Sequence, residues 1–341
     1  MQNLSMSTWA RRPDDARYSN INAMHAEFEL VRDQSRAFAT SNRRLQIEPV
    51  QNEGLSIIAE ADGQTIYSPT HWAFGQLCNR AKAPVDYIRS LHPALAADNL
   101  KYGLRFLRDI EDVGLLVQNN GEHHLRAVTG PNYGRIWNAD VTRALLNHFG
   151  DGSKWVAPKE RDSLFSSDRD MYVFLADMGE ALEYSGRRLH RGFFAWNSEV
   201  GKSKFGLSLF YFDSICSNRM IMGMRDLNSF EIIHTASAPD KFIEEIEPAL
   251  LAFANSKGEP LAQAIEDAKR DKVDRDLADF LGNRFSKNLV EAAMIVHSAE
   301  EGRPIENRWD ALVGLTAYAR GIKHQDTRVE LERAAGLLLA A

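Results

Sequence analysis

Arg187, Arg188 and Arg191 stand just ahead of Phe193, Phe194 and Trp196, and Lys202 and Lys204 follow after a short polar interval. Cations that neutralise phosphates, set beside flat rings on which bases can stack, are what a groove for single-stranded nucleic acid requires. With Arg219 added, these residues form the expected nucleic-acid-binding set. On a two-stranded ribbon their alternate side chains would face the bound strand. The competing reading places the three aromatic rings in the core and leaves the cations outside.

The middle of the stretch reads Gly201-Lys202-Ser203, the closing letters of a phosphate-binding loop. Such a loop needs a glycine five positions before Gly201 and a helix after it, so that successive N–H groups curl around phosphate. Trp196 occupies that position, and the strand-like "KFGLSLFYF" follows Ser203. A hairpin turn carrying two lysines is therefore expected, with no nucleotide cofactor.

Other chemistry is sparse. None of the ten histidines falls into H-E-x-x-H or pairs with cysteine at zinc spacing. His123 and His124 are adjacent, and neighbours on a strand point to opposite faces, so no metal site is expected there. No nucleophile elbow, dinucleotide fingerprint or paired-carboxylate motif is present, so no catalytic residue is assigned. The alternative is a metal-dependent nuclease or other phosphate-chemistry enzyme, with Asp213, His190 or His234 beside the basic block.

Charge is sorted along the chain. The net charge is −6, yet Arg187 to Arg225 carries seven basic residues against two acidic ones, leaving −11 on the remainder. Eleven acidic residues face six basic ones between Asp240 and Gly282, a second candidate surface and the basis of a host-defence-modifying protein as a further alternative. The 44% hydrophobic content over 341 residues can fill a sizeable core. No run nears eighteen apolar residues and the N-terminus lacks an apolar stretch, which predicts a cytoplasmic protein without a membrane partner. Cys78 and Cys216 lie far apart and are read as buried free thiols.

The elements that must position this chemistry mix strands and helices. The D-G of "LSIIAEADGQTIYSP" and the N-N-G of "VGLLVQNNGEHHLRAVT" predict two hairpins. Helices are expected in "SPTHWAFGQLCNRAKAP", with Ser68 as cap and Pro69 first in the helix, in "PVDYIRSLHP", in "ALAADNLKYGLRFLRDI" and, capped by Asn138, in "NADVTRALLNHF". "MYVFLADM", "RRLHRGFFAWNS", "KFGLSLFYFDSIC" and "SFEIIHT" read as strands. A helix over Ser237–Gly258 has apolar positions at Phe242, Ile243, Ile246, Leu250 and Phe253, and Pro248 should kink it. One long charged helix and two more complete the chain before a short Ala/Leu-rich end.

The expected fold is α+β: a central antiparallel sheet or ribbon of three strands then a helix, flanked by N-terminal and C-terminal helices. The expected divisions are a flexible arm at 1–20, an N-terminal α+β region at 21–150, a β-rich core with the basic ribbon at 151–258 and a helical region at 259–341.

"FFAWNSEVGKSKFGLSLFYFDSICSNRMI" followed by "FEIIHT" resembles the N-S-x-x-G, C-x-N and I-x-H-T pattern of domain-of-unknown-function family 932, the phage- and plasmid-like proteins. "SPTHWAFGQLCNRAKAPVDYIRSLHPALAADNLKYGL", "LRAVTGPNYGRIWNADV" and "NRWDALVGLTAYARGIKH" are similar to further segments of that family, so the likeness spans roughly residues 40 to 335. Glu199 and Val200 replace its usual histidine and aspartate, and Cys216-Ser217-Asn218 replaces its C-N-N. The family in turn looks similar to phage single-strand annealing recombinases, a likeness of fold. It implies ATP-independent binding and annealing of single-stranded DNA in recombination, a homo-oligomeric ring or filament, and a possible partner in the host single-strand-binding protein.

Overall fold

The computed structural model describes residues 9–50, 54–59, 62–63, 65–107, 109–149, 154–159, 161–184, 186–221, 229–255, 261–282 and 284–339. In chain order these form β1 (Ala16–Arg17), α1 (Ile21–Asp33), β2 (Ser35–Ser41), a 3-10 turn (Asn42–Arg44), β3 (Leu45–Val50), β4 (Gly54–Ala59), β5 (Ile66–Pro69), α2 (His71–Arg80), α3 (Val85–Ser90), α4 (Pro93–Phe106), β6 (Asp112–Asn119), β7 (His123–Thr129) and α5 (Asn138–Phe149). Then come β8 (Trp155–Val156), β9 (Leu164–Ser166), β10 (Met171–Asp177), β11 (Leu182–Tyr184), β12 (Arg187–Asn197), β13 (Phe205–Asp213), β14 (Arg219–Ile221) and β15 (Ser229–Ile232). Helices close the chain: α6 (Ala238–Asn255), α7 (Leu261–Arg270), α8 (Leu277–Phe280), α9 (Lys287–Glu301), α10 (Arg308–Ala319) and α11 (Gln325–Gly336). The chain is α+β, built on two sheets. None of the described helices is long and apolar enough to cross a membrane.

The first sheet has the order β2-β6-β7-β5-β4-β3, antiparallel except where β5 runs parallel to β7. Ile47, Leu55, Ile57 and Tyr67 pack under Phe74, Leu77, Ile88, Leu100 and Leu104 of α2, α3 and α4. Both expected hairpins form here, β4 with β5 and β6 with β7. Ser68 and Pro69 belong to β5 rather than opening a helix, and Thr70 caps α2 by accepting from the Ala73 N–H. The parallel register with β7 claims those two residues, and the cap moves two positions on.

The second sheet runs β1-β9-β10-β12-β13-β14, with β8, β11 and β15 attached beside it. Every residue of β10 and β13 is buried because helices cover both faces. On one face Val173, Leu175, Phe193, Ala195 and Leu207 meet α1, α5 and α6. On the other, Phe165, Phe174, Phe194, Trp196 and Phe210 meet Val329 of α11. Gly206 lies opposite Trp196, whose ring occupies the space a Cβ would take, at 2.2 Å.

Further sequence expectations fail here for physical reasons. Of the arm expected at 1–20, residues 1–8 lie outside the described residues, and residues 9–20 are fastened down rather than loose: Trp9 is buried against Phe74, and Arg12 bonds Asp326 at 2.8 Å. The long charged helix after residue 260 is broken into α7 and α8, with Asp276 capping the second piece by accepting from the Ala278 N–H. Ile243 faces outward, because Phe242, Ile246 and Leu250 already fill the buried side of α6. Cys78 is buried, whereas Cys216 is half-buried; both are free thiols.

Candidate functional site

Most of the expected nucleic-acid-binding set is used inside the fold. Phe193, Phe194 and Trp196 are core residues, with Phe193 against Phe149 and Phe194 stacked on Phe174, so no ring face is left for a base. Arg187 is buried, donating to Asp213 at 2.6 Å and also pairing with Glu301. Arg219 is 1% exposed and lies 3.9 Å from the centre of the Phe174 ring. It donates to Glu332 at 3.0 Å and Gln325 at 2.9 Å. Burial drives its pKa down to about 10, against the pull of Glu332. These five residues are removed from any external contact surface.

Arg188 reaches the surface and pairs with Glu183 at 2.8 Å. Arg191 is half-buried, over the Trp155 ring and donating to the Ala254 carbonyl. Lys202 is partly exposed, and Lys204 is exposed and paired with Glu231. Arg225 lies outside the described residues. Asp213 and His190 are buried, the latter facing the carbonyls of Asp177 and Glu180. His234 is buried and stacked on Tyr133, and burial lowers its pKa. Among the described residues no group of three or more metal-ligating side chains converges.

The turn between β12 and β13 has a different task. Gly201, at φ +82, lets the chain reverse, and Lys202-Ser203 leads into a strand, so these residues do not open a helix. The Asn197 side chain donates to the Ile136 carbonyl and the Asn138 side-chain oxygen, both at 2.8 Å. Ser198 donates to the Arg169 carbonyl at 2.6 Å and accepts from the Lys202 N–H. The Val200 carbonyl accepts from Trp72 Nε1 and Gln76 Nε2 of α2. The turn therefore pins the second sheet to the first sheet's helix.

Glu199 is the centre of that lock. One carboxylate oxygen accepts from Arg126 of β7 at 2.7 Å and the other from the Asn138 N–H at 2.8 Å. The second contact places a negative charge at the start of α5, where unpaired N–H groups and the helix dipole favour it. Asn138 is thus the first residue of its helix rather than a side-chain cap.

Beside the lock lies a cavity of about 600 Å³, walled by the N-terminal segment, α1, β7, the start of α2 and the loop after β9. Arg11, Arg12, Arg126, His71 and His124 line it, with the hydroxyls of Thr70, Ser166 and Ser167. Phe28 and Val31 supply an apolar patch, and Asp14, Glu27 and Asp168 supply acids. Arg126 is held by Glu199, and by Ser35 at 3.0 Å. The Asp168 carboxylate accepts from the Trp72 N–H at 2.9 Å. These groups come from five separate elements, so sequence spacing carried no signal of the cavity; the Arg11-Arg12 pair was the one local clue.

Two titrations at this wall run in opposite directions. Burial raises Asp170 to about 6, opposed by its hydrogen bond from Ser167. Between the usual carboxylate value near 4 and pH 6 the folded state holds a proton the unfolded chain has lost, so stability falls as pH rises. Burial, then Arg89, lowers His71 to about 4, so its contribution is lost as pH falls below about 6.5. His71 is partly exposed, and its effect is the smaller. Asp170→Asn is expected to gain about 2 kcal/mol relative to the parent between pH 4 and pH 7. Urea unfolding at the two pH values checks this; an unchanged difference would show that Asp170 does not titrate there.

Compared with family models, with curated proteins and with solved structures, the chain matches none. The likeness described above rests on the residues quoted for it, and its N-S-x-x-G segment is fully engaged in the lock.

Proposed function

We propose that the protein binds single-stranded DNA and brings complementary strands together without ATP. The observation that carries this reading is the cavity. Its volume lies within the range of ligand sites. Arg11 is exposed and suits phosphate, Arg12 and Arg126 add positive charge to the wall while paired with Asp326 and Glu199, the hydroxyls suit sugar and phosphate oxygens, and Val31 offers an apolar contact to a base. Lys202 stands three residues from Glu199, whose carboxylate holds the cavity-lining Arg126, so the lysine turn is fastened to the cavity wall. A strand seated across both would keep its phosphates on cations and expose base edges to a partner strand. The protein would supply alignment, and pairing would supply the driving force.

The test is fluorescence anisotropy of a labelled single-stranded oligonucleotide over a salt series, then addition of the complement without ATP. Binding should weaken steeply with salt, and duplex formation should accelerate. For single strands each phosphate contact contributes about 0.7 to the log–log slope. Lys202→Ala/Lys204→Ala and Arg11→Ala should each lower that slope. No binding at low salt would overturn the reading, and an unchanged slope would remove the altered residues from it. An RNA oligonucleotide of the same sequence, run in parallel, reads the preference between the two polymers.

A further inference from the structure

The C-terminal helical region has a small pocket of its own, with none of its lining residues shared with the cavity beside Glu199. Its volume is about 190 Å³, and the buried Leu281 and Leu338 contribute its apolar side. Arg275, Arg284 and Arg308 line it, brought from three separate places: the link between α7 and α8, the link between α8 and α9, and the first turn of α10. A short antiparallel bridge joins two of them. Lys272 pairs with Asn307, the Val273 N–H donates to the Glu306 carbonyl at 2.9 Å, and the Arg308 N–H donates to the Asp271 carbonyl at 3.0 Å. Gly282, at φ +65, turns the chain after α8, and Arg284 stands two residues beyond it on the same wall.

The wall is cationic, although Asp240 to Gly282 is acidic overall. Among the described lining residues Asp271 is the one carboxylate, and it is engaged with Arg308, whose Nε lies 3.4 Å away and whose side chain is 13% exposed. Arg284 is exposed. Arg275 is 60% exposed, with the Asp274 carboxylate at 4.0 Å and its guanidinium 5.9 Å from the centre of the Phe280 ring. Three guanidiniums against one carboxylate leave a charge of +2 on the lining residues. Planar guanidinium forks match the oxygens of phosphate, and clusters of arginine are a recurrent means of recognising a phosphorylated group. The space falls below the range of about 300–1,000 Å³ that whole ligands occupy, so it admits a group rather than a molecule. A terminal phosphate carries a charge of about −1.5 to −2 at neutral pH, which the wall can balance, whereas a diester carries a single charge and must leave on two sides. We propose that this pocket binds a doubly charged phosphate group, free or as the terminus of a monoester. The inference stands apart from the single-strand reading and needs no nucleic acid.

Isothermal titration calorimetry of the full chain at low salt and neutral pH, in a phosphate-free buffer, tests it with inorganic phosphate, phenyl phosphate and dimethyl phosphate. Inorganic phosphate or phenyl phosphate should bind saturably, with a dissociation constant below about 1 mM. Tighter binding of phenyl phosphate assigns the monoester, with Phe280 beside its organic part; tighter binding of inorganic phosphate assigns the free ion. Dimethyl phosphate, a singly charged diester, should bind at least about tenfold more weakly than the tighter of the two. Arg275→Gln and Arg284→Gln alter exposed side chains, so both variants should fold, and circular dichroism checks this. Each should weaken binding about tenfold, the effect of losing one charge-assisted hydrogen bond. Arg143→Gln, on α5 and outside the pocket, should leave binding unchanged. Absence of saturable binding by both phosphate and phenyl phosphate, equal binding of the diester, pocket variants that bind like the parent, or an equal loss in Arg143→Gln would each overturn the assignment.

Discussion

Removal of the Glu332 carboxylate by Glu332→Ala is expected to destabilise the protein by about 3–5 kcal/mol, the range for breaking a buried ion pair from one side. One oxygen of Glu332 accepts from Arg219 Nε at 3.0 Å and from Arg328 Nε at 2.8 Å, and all three side chains are almost wholly buried. Arg328 keeps Asp162 at 3.1 Å, but Arg219 would keep only the neutral Gln325. The loss is therefore an uncompensated guanidinium between β14 and α11. The cluster is also imperfect: Arg219 Nη1, Arg328 Nη2 and Glu332 Oε2 have no hydrogen-bond partner among the described residues. Half-satisfied buried networks are costly, so replacing all three side chains by apolar ones should recover most of the loss. Arg219→Met/Arg328→Leu/Glu332→Met, compared with Glu332→Ala by urea unfolding, reads this directly. A single-variant loss below about 1 kcal/mol would mean that water reaches Arg219 and that the pair behaves as a surface one.

The second large effect is expected at Glu199. Glu199→Ala should cost about 3 kcal/mol, because it strips Arg126 of its carboxylate and leaves the Asn138 N–H, at the start of α5, without its acceptor. Glu199→Gln keeps an acceptor for that N–H and should lose about half as much. The pair sits where the two sheets meet, so the loss should show as a separation of unfolding transitions when tryptophan fluorescence and far-UV circular dichroism are followed together. Coincident transitions with a loss under about 1 kcal/mol would show that Asn197, Ser198 and Val200 hold the turn without it. A double-mutant cycle with Arg126→Met isolates the ion pair from the helix contact.

Both predictions concern residues whose neighbourhood in sequence gives no warning. The period-two run over β12 and β13, the hairpins at D-G and N-N-G and the amphipathic α4 are local, and side-chain spacing alone determines them. The reversal at Gly201 is local too. What spacing cannot report is whether a second layer covers the other face of a strand. Here α11 does so, and its sequence "QDTRVELERAAG" reads as polar although Gln325, Asp326, Arg328 and Glu332 are all buried. The same limit applies to charge. A run of arginines beside aromatic rings has one composition whether it faces phosphate or pairs inward, and the carboxylates that decide the matter meet it only in the fold: Asp213 of the paired strand together with Glu301 for Arg187, and Glu332, more than 100 residues downstream, for Arg219. The sequence by itself determined the α+β class, the strand ribbon and its turn. Tertiary structure decided which cations remain outside and where a cavity gathers Arg11, Arg12 and Arg126, because desolvation and ion pairing depend on partners that only the folded chain brings within reach.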